Sequence, residues 1–308
     1  MALGTGLGYL LYAAVGYAGP HASNRGAFML LVGTAMAITA FPVLTRVLVD
    51  KGMTGTALGM LALACASIDD ITAWCLLALV VALVHGAGLA AASLQVLEMA
   101  VFVGVMLTLV RPLLALIDRH LTSAHLRVTV LMALLWLAAE LTTVIGIHPV
   151  FGAFLMGMIV PRTAATLEYV RSINKINSVI FLPLFFTLSG LRTQIGLLNA
   201  PHLWLVCLGI LAMAIVGKLV GGALAMRATG ADWRESLALG VLMNTRGLVE
   251  LIVINIGLSV GVLSPRFFVM LVIMALVTTM MASPLLGLLG YADMRDREAS
   301  ADIQTHLA

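Results

Sequence analysis

Ten apolar runs account for most of the chain, at about 2–18, 27–49, 56–84, 94–117, 126–145, 149–161, 176–191, 202–226, 235–258 and 267–290. Roughly 20 apolar residues, rising ~1.5 Å each, cross the hydrocarbon of a bilayer. In lipid only a helix or a closed barrel satisfies every backbone polar group. Runs of this length are helices, so the expected fold is an all-α polytopic membrane protein with about ten transmembrane helices. The sixth run is short and is expected to be tilted or partly re-entrant. Only 10% of the 308 residues are charged, where a soluble domain carries about 25%. A net charge of +3 is too small to suggest nucleic acid, so the expected surroundings are membrane lipid. No basic residue precedes the first run, which argues against a cleaved signal. Three cysteines, Cys65, Cys75 and Cys207, lie inside apolar runs without CxxC spacing and read as small buried hydrophobes.

The basic residues give an orientation. Arg25, Arg192 and Arg266 fall on one side of this ten-helix scheme. Arg46, Lys51, Arg111, Arg119, Arg127, Arg162, Arg171, Lys175, Arg227, Arg234, Arg295 and Arg297 fall on the other. Cytoplasmic loops carry the excess of Lys and Arg, so the second side is cytoplasmic. Segments one to three then start in the cytoplasm and segments eight to ten start outside, which makes the two triplets inverted repeats. The middle member of each is interrupted, at Thr39-Ala-Phe-Pro42 and at Asn244-Thr-Arg-Gly247. Proline removes a backbone donor and clashes with the preceding turn, while glycine and Asn-Thr loosen it. Broken helices at matching positions of inverted halves point to a midplane binding site in a secondary transporter.

Six charged positions lie at depth. Asp69 and Asp70 sit near the middle of the third run, where a carboxylate costs ~2.5 kcal/mol or more and therefore lines a cavity, pairs with a cation or carries protons. Neighbours on a helix project about 100° apart. The simplest arrangement pairs one acid with a cation on another helix and leaves the other facing water and substrate. Lys218 is the ammonium at matching depth. Thr39 offers a hydroxyl, and its broken turn offers carbonyls, as hard oxygen ligands for a small cation. Arg246 and Glu250, at i, i+4 spacing, share a helix face. With Glu140 of the fifth run they are expected to form a structural ion network holding the ninth segment rigid. His85, His120, His125, His148 and His202 all fall at helix ends or loops.

These residues sit in stretches that resemble the second branch of the monovalent cation:proton antiporter superfamily, the sodium/hydrogen exchanger-like transmembrane domain. The stretches are Ala37-Ile-Thr-Ala-Phe-Pro-Val-Leu-Thr-Arg46, Ser67-Ile-Asp-Asp70, Gly146-Ile-His-Pro-Val-Phe-Gly-Ala-Phe154, Pro183-Leu-Phe-Phe-Thr-Leu-Ser-Gly-Leu-Arg192, Gly217-Lys218 and Met243-Asn-Thr-Arg-Gly-Leu-Val-Glu-Leu251. The resemblance implies two crossed, discontinuous helices in a core that moves against a dimerisation domain. It assigns residues 1–292 to the exchanger domain, with core helices at about 1–84 and 202–290. Linker and partial dimerisation helices occupy about 94–191, and a polar cytoplasmic tail follows at 293–308. Asp70 matches the ion- and proton-carrying aspartate, Asp69 the acid before it, Lys218 its lysine partner and Thr39 the crossover. Arg246 stands where plant exchangers often have lysine. The Asp-Asp pair resembles the electrogenic members, which return more than one proton per cation.

The implied function is exchange of Na+ or K+ for protons by alternating access, in the plasma (inner) membrane, with a cytoplasmic C-terminus and no cofactor. The family has two or three helices ahead of the first run, so the chain is expected to be truncated at its N-terminus and to form a homodimer only with those helices present. Two alternatives share the fold: a potassium efflux pathway, and a truncated paralogue that transports nothing. An enzyme is not expected. An intramembrane aspartyl protease needs two acids on different helices sharing a proton, whereas the two deep aspartates here are neighbours.

Overall fold

The computed structural model describes residues 1–12, 18, 25–84, 88–120 and 123–291. The expected tail at 293–308, the end of the first run and His85 lie outside them. The described chain is helical, and its fifteen α-helices fall into two units, Met1–Leu77 with Thr193–Ala308, and Ala78–Arg192.

The first unit contains α1 (Ala2–Tyr12), α2 (Arg25–Ala37), α3 (Phe41–Asp50) and the first part of α4 (Ala57–Val84). The rest of α4 belongs to the second unit, with α5 (Gly88–Val105), α6 (Arg111–His120), α7 (Ala124–Val144), α8 (Pro149–Ile159), α9 (Ala164–Ile176) and α10 (Leu182–Arg192). The first unit is completed by α11 (Pro201–Ile215), α12 (Gly221–Ala228), α13 (Trp233–Met243), α14 (Leu248–Ser259) and α15 (Pro265–Leu286). Wide π-type turns at Met106–Val110, Asn177–Phe181 and Val216–Val220 join α5 to α6, α9 to α10 and α11 to α12.

Local chemistry sets the ends. Asp232 accepts from the Glu235 amide at 2.8 Å and Ser264 from the Phe267 amide at 3.3 Å, so side chains close the first turns of α13 and α15. Prolines 42, 149, 201 and 265 sit in the first turn of their helices, where no backbone donor is needed. The core of the first unit gathers on α2, α14 and α15, where Phe28, Leu31, Val253, Ile254, Phe267 and Met270 are fully buried. Outside that core, Val179, Leu191 and Met280 present large apolar surface, as side chains facing lipid do.

Among the described residues seven helices are long and apolar enough to cross a membrane, and the α13–α14 pair, bent by 42°, passes the same test only when its two halves are taken together. The other two of the ten expected runs are shorter as helices. α8 has 11 residues, or ~16 Å, about half of a hydrocarbon layer. α1 is described over Ala2–Tyr12 only. The seventh run departs the other way. Instead of 176–191, α9, the wide turn Asn177–Phe181 and α10 run on as one helical stretch from Ala164 to Arg192. Thr163 caps its start, and Glu168, Arg171 and Lys175 lie along its first turns, so a polar helical extension continues the apolar stretch.

Candidate ion site

The second and ninth runs are both broken, and the breaks meet. Between α2 and α3 the chain leaves helical geometry at Ile38–Ala40, and between α13 and α14 at Thr245–Gly247. The Ala40 amide donates to the Thr245 carbonyl at 3.0 Å, and the Thr39 hydroxyl reaches the Met243 carbonyl at 2.9 Å. Interrupted helices leave backbone groups without intrahelical partners, and here each break supplies partners for the other. Gly247 makes the approach possible, because a Cβ there would lie 2.5 Å from Val43 Cγ2.

Arg246 holds the second break in place. Its guanidinium donates to the carbonyls of Ala35 at 2.7 Å and Met36 at 2.9 Å, the last turn of α2, and to Glu250 at 3.2 Å. Those carbonyls are the negative end of a half-helix, which a cation offsets. Arg246 and Glu250 are both buried. Thr279 of α15 closes the arrangement: its hydroxyl accepts from the Arg246 amide at 2.9 Å and donates to the Arg246 carbonyl at 2.8 Å. None of these hydrogen bonds involves Glu140, the expected third member. It lies on α7 in the second unit with an exposed side chain, and the hydrogen bonds of Arg246 run to groups of the first unit.

The paired acids project from α4 beside these breaks. Lys218 donates to Asp69 Oδ2 at 3.0 Å and to Thr39 Oγ1 at 2.6 Å, and the Thr39 hydroxyl lies 2.7 Å from the same Asp69 oxygen. Lys218 extends from the wide turn Val216–Val220. Beneath that turn Gly240 of α13 leaves room for the Leu219 carbonyl, which a Cβ would overlap. A cavity of about 440 Å³ opens next to the ion pair, lined by Ala37, Ile38, Asp69, Thr72, Met213 and Lys218.

Asp70 departs from the expectation that the unpaired acid faces water. It is only 1% exposed, and it is Asp69 that lines the cavity. The turn of about 100° between neighbours carries Asp70 around α4 toward the Phe41 amide at the start of α3. Its Oδ1 has no hydrogen-bond partner among the described residues. A buried carboxylate oxygen without a partner is costly unless something else occupies it. The Asn244 side-chain carbonyl, at the second break, is likewise buried without a partner among them.

The arrangement combines a neutralised acid on a cavity with a second, buried acid beside two broken helices that cross. Sequence reasoning missed Thr279, the α2 carbonyls and Asn244 as a buried side chain. Thr278-Thr279 inside an apolar run was the one signal for the first of these.

Known proteins match along the same length. The sodium/hydrogen exchanger transmembrane family matches residues 1–289. A Na+/H+ antiporter of Synechocystis is 44% identical over 271 residues, which is 86% of this chain and 66% of that protein. Cation/H+ antiporter 15 of Arabidopsis thaliana is 35% identical over 271 residues, 86% of this chain and 33% of its own length. K+/H+ antiporter 1 of Saccharomyces cerevisiae is 33% identical over 279 residues, 87% of this chain and 32% of its own. The chain thus spans less than two thirds of the full length of most of these relatives and just under that of the first. With the match running through both broken helices and the acids between them, the chain belongs to the sodium/hydrogen exchanger transmembrane family.

Proposed function

We propose that this chain exchanges a monovalent cation, Na+ or K+, for protons across a membrane by alternating access, and that Asp70 is the group loaded by each in turn. The observation that carries this reading is the unpartnered Oδ1 of Asp70, buried where the two breaks meet. One carboxylate cannot hold a proton and a cation together, so occupancy by one expels the other. That competition makes the exchange obligatory. Asp69, bridged to Lys218 and Thr39, keeps the adjoining cavity polar without adding a net charge. A cation leaving water there meets the carboxylate, and the carbonyls of the breaks replace its hydration shell. Relatives named for Na+ and for K+ support both cations as substrates.

In this reading residues 1–84 and 202–290 are the ion-carrying core, 94–191 supply linker and dimerisation helices, and 293–308 form a cytoplasmic tail. The chain is a carrier in the plasma membrane that works as a homodimer when the family's N-terminal helices are present. The strong excess of basic residues on one side supports its orientation. Inverted vesicles containing the full chain and a pH-gradient dye test the exchange. A Na+ or K+ pulse should dissipate the gradient, and Asp70→Asn should abolish the response. A response with an unchanged pH profile in Asp70→Asn removes Asp70 from its role. Cation flux without proton movement replaces exchange with an efflux path.

A further inference from the structure

The second unit contains a cavity of about 450 Å³ that ion exchange leaves unused. Arg111 and Ala115 of α6 form one wall, and Met158, Ile159 and Arg162 at the end of α8 form the other. α8 stops there because Pro161 follows. A residue before proline is pushed out of the helical region, and Val160 sits at φ −57°, ψ 132°. The chain then turns out and brings Arg162 to the rim. Arg111 reaches the same rim as the first residue of α6, directly after the wide turn Met106–Val110.

Both guanidiniums are exposed, and among the described residues neither has an ion pair. The contrast in the same unit is Arg127, which closes on Asp118 at 2.8 Å. Two arginines on one rim without a carboxylate among the lining residues repel each other, and an anion placed between them would offset both. Guanidinium forks match phosphate oxygens. The apolar walls below the rim call for more than an inorganic ion.

We propose that this cavity binds an anionic phospholipid, its phosphate held between Arg111 and Arg162 and the start of an acyl chain lying along Met158, Ile159 and Ala115. Both arginines belong to the side that carries most of the basic residues, and basic pockets between membrane helices on that side suit acidic headgroups. A free phosphate would use the rim and leave the walls empty. The proposal does not depend on ion exchange.

The test is lipid retention by the full chain in detergent, read by native mass spectrometry during titration with phosphatidylglycerol or phosphatidylcholine. Phosphatidylglycerol should bind at least tenfold more tightly. Each arginine facing an anionic headgroup contributes roughly fivefold, so Arg111→Gln with Arg162→Gln should weaken phosphatidylglycerol roughly 30-fold and leave phosphatidylcholine unchanged. Arg171→Gln, at another exposed arginine of this unit, should change neither. Equal retention of the two lipids, or an equal loss in Arg171→Gln, overturns the proposal. So does excess inorganic phosphate that displaces the lipid and binds with the same dependence on both arginines, because the site would then be one for free phosphate. If the double glutamine variant does not fold, Arg111→Lys with Arg162→Lys decides. Keeping charge but losing the forks, it should retain phosphatidylglycerol less tightly than the unaltered chain, and equal affinity overturns the proposal.

Discussion

Arg246 should be the most costly single residue to replace. Its guanidinium serves two carbonyls of α2 and Glu250, all out of contact with solvent. Arg246→Met would leave a buried carboxylate without compensation, which costs about 3–5 kcal/mol. The expected result is a large drop in apparent melting temperature in detergent, partly recovered by adding Glu250→Gln. A melting temperature like that of the unaltered chain would deny the pair any structural role. Lys218→Gln acts differently. Asp69 would lose its cation while the fold keeps its apolar packing, so protein yield should hold and the pH profile of exchange should move. An unmoved profile would separate Lys218 from the proton cycle. These charges were readable in the sequence because an ionised group inside an apolar run must find a partner or a function. For Glu140 the same logic gives no partner. An apolar run tells how deep a residue lies, and α7 is apolar on every side, so nothing in the sequence told which face Glu140 takes. Which of the two neighbouring acids lines the cavity was hidden for the same reason.

At the scale of elements, the crossing depends on what Gly247 lacks. Gly247→Ala would set a methyl group 2.5 Å from Val43 Cγ2 and force the breaks apart. Transport in the vesicle assay should fall at least tenfold, and Val43→Ala in the same chain should restore much of it by removing the obstructing methyl. No rescue would mean that contact with Val43 is not the reason for glycine. Both breaks were legible, since Pro42 cannot donate to the preceding turn and the Asn-Thr-Arg-Gly string is a poor helix former. The long helix through α9 and α10 was not. Its charged first turns hide a helix from any reading based on hydrophobicity, and the Thr163 cap is visible only once the helix is known.

At the scale of the molecule, the 440 Å³ cavity should open to one aqueous side at a time. With Cys65, Cys75 and Cys207 replaced by alanine, Ala37→Cys should react with an impermeant maleimide from one face of the membrane. Leu44→Cys, fully buried, should react from neither. Labelling of Ala37→Cys from both faces in a single condition would describe a pore. That the chain is a set of apolar helices was legible, because lipid demands them, whereas the short sixth run, the extended seventh and the assembly into two units rest on contacts distant in sequence. The meeting of the two breaks also limits how such a molecule can work. Amide, hydroxyl and guanidinium bolts join the halves at Ala40, Thr39 and Arg246 with no slack between Gly247 and Val43, so the crossed pair cannot scissor. A motion that exposed Asp70 to the two baths in turn would therefore have to lift the entire joint as a single block.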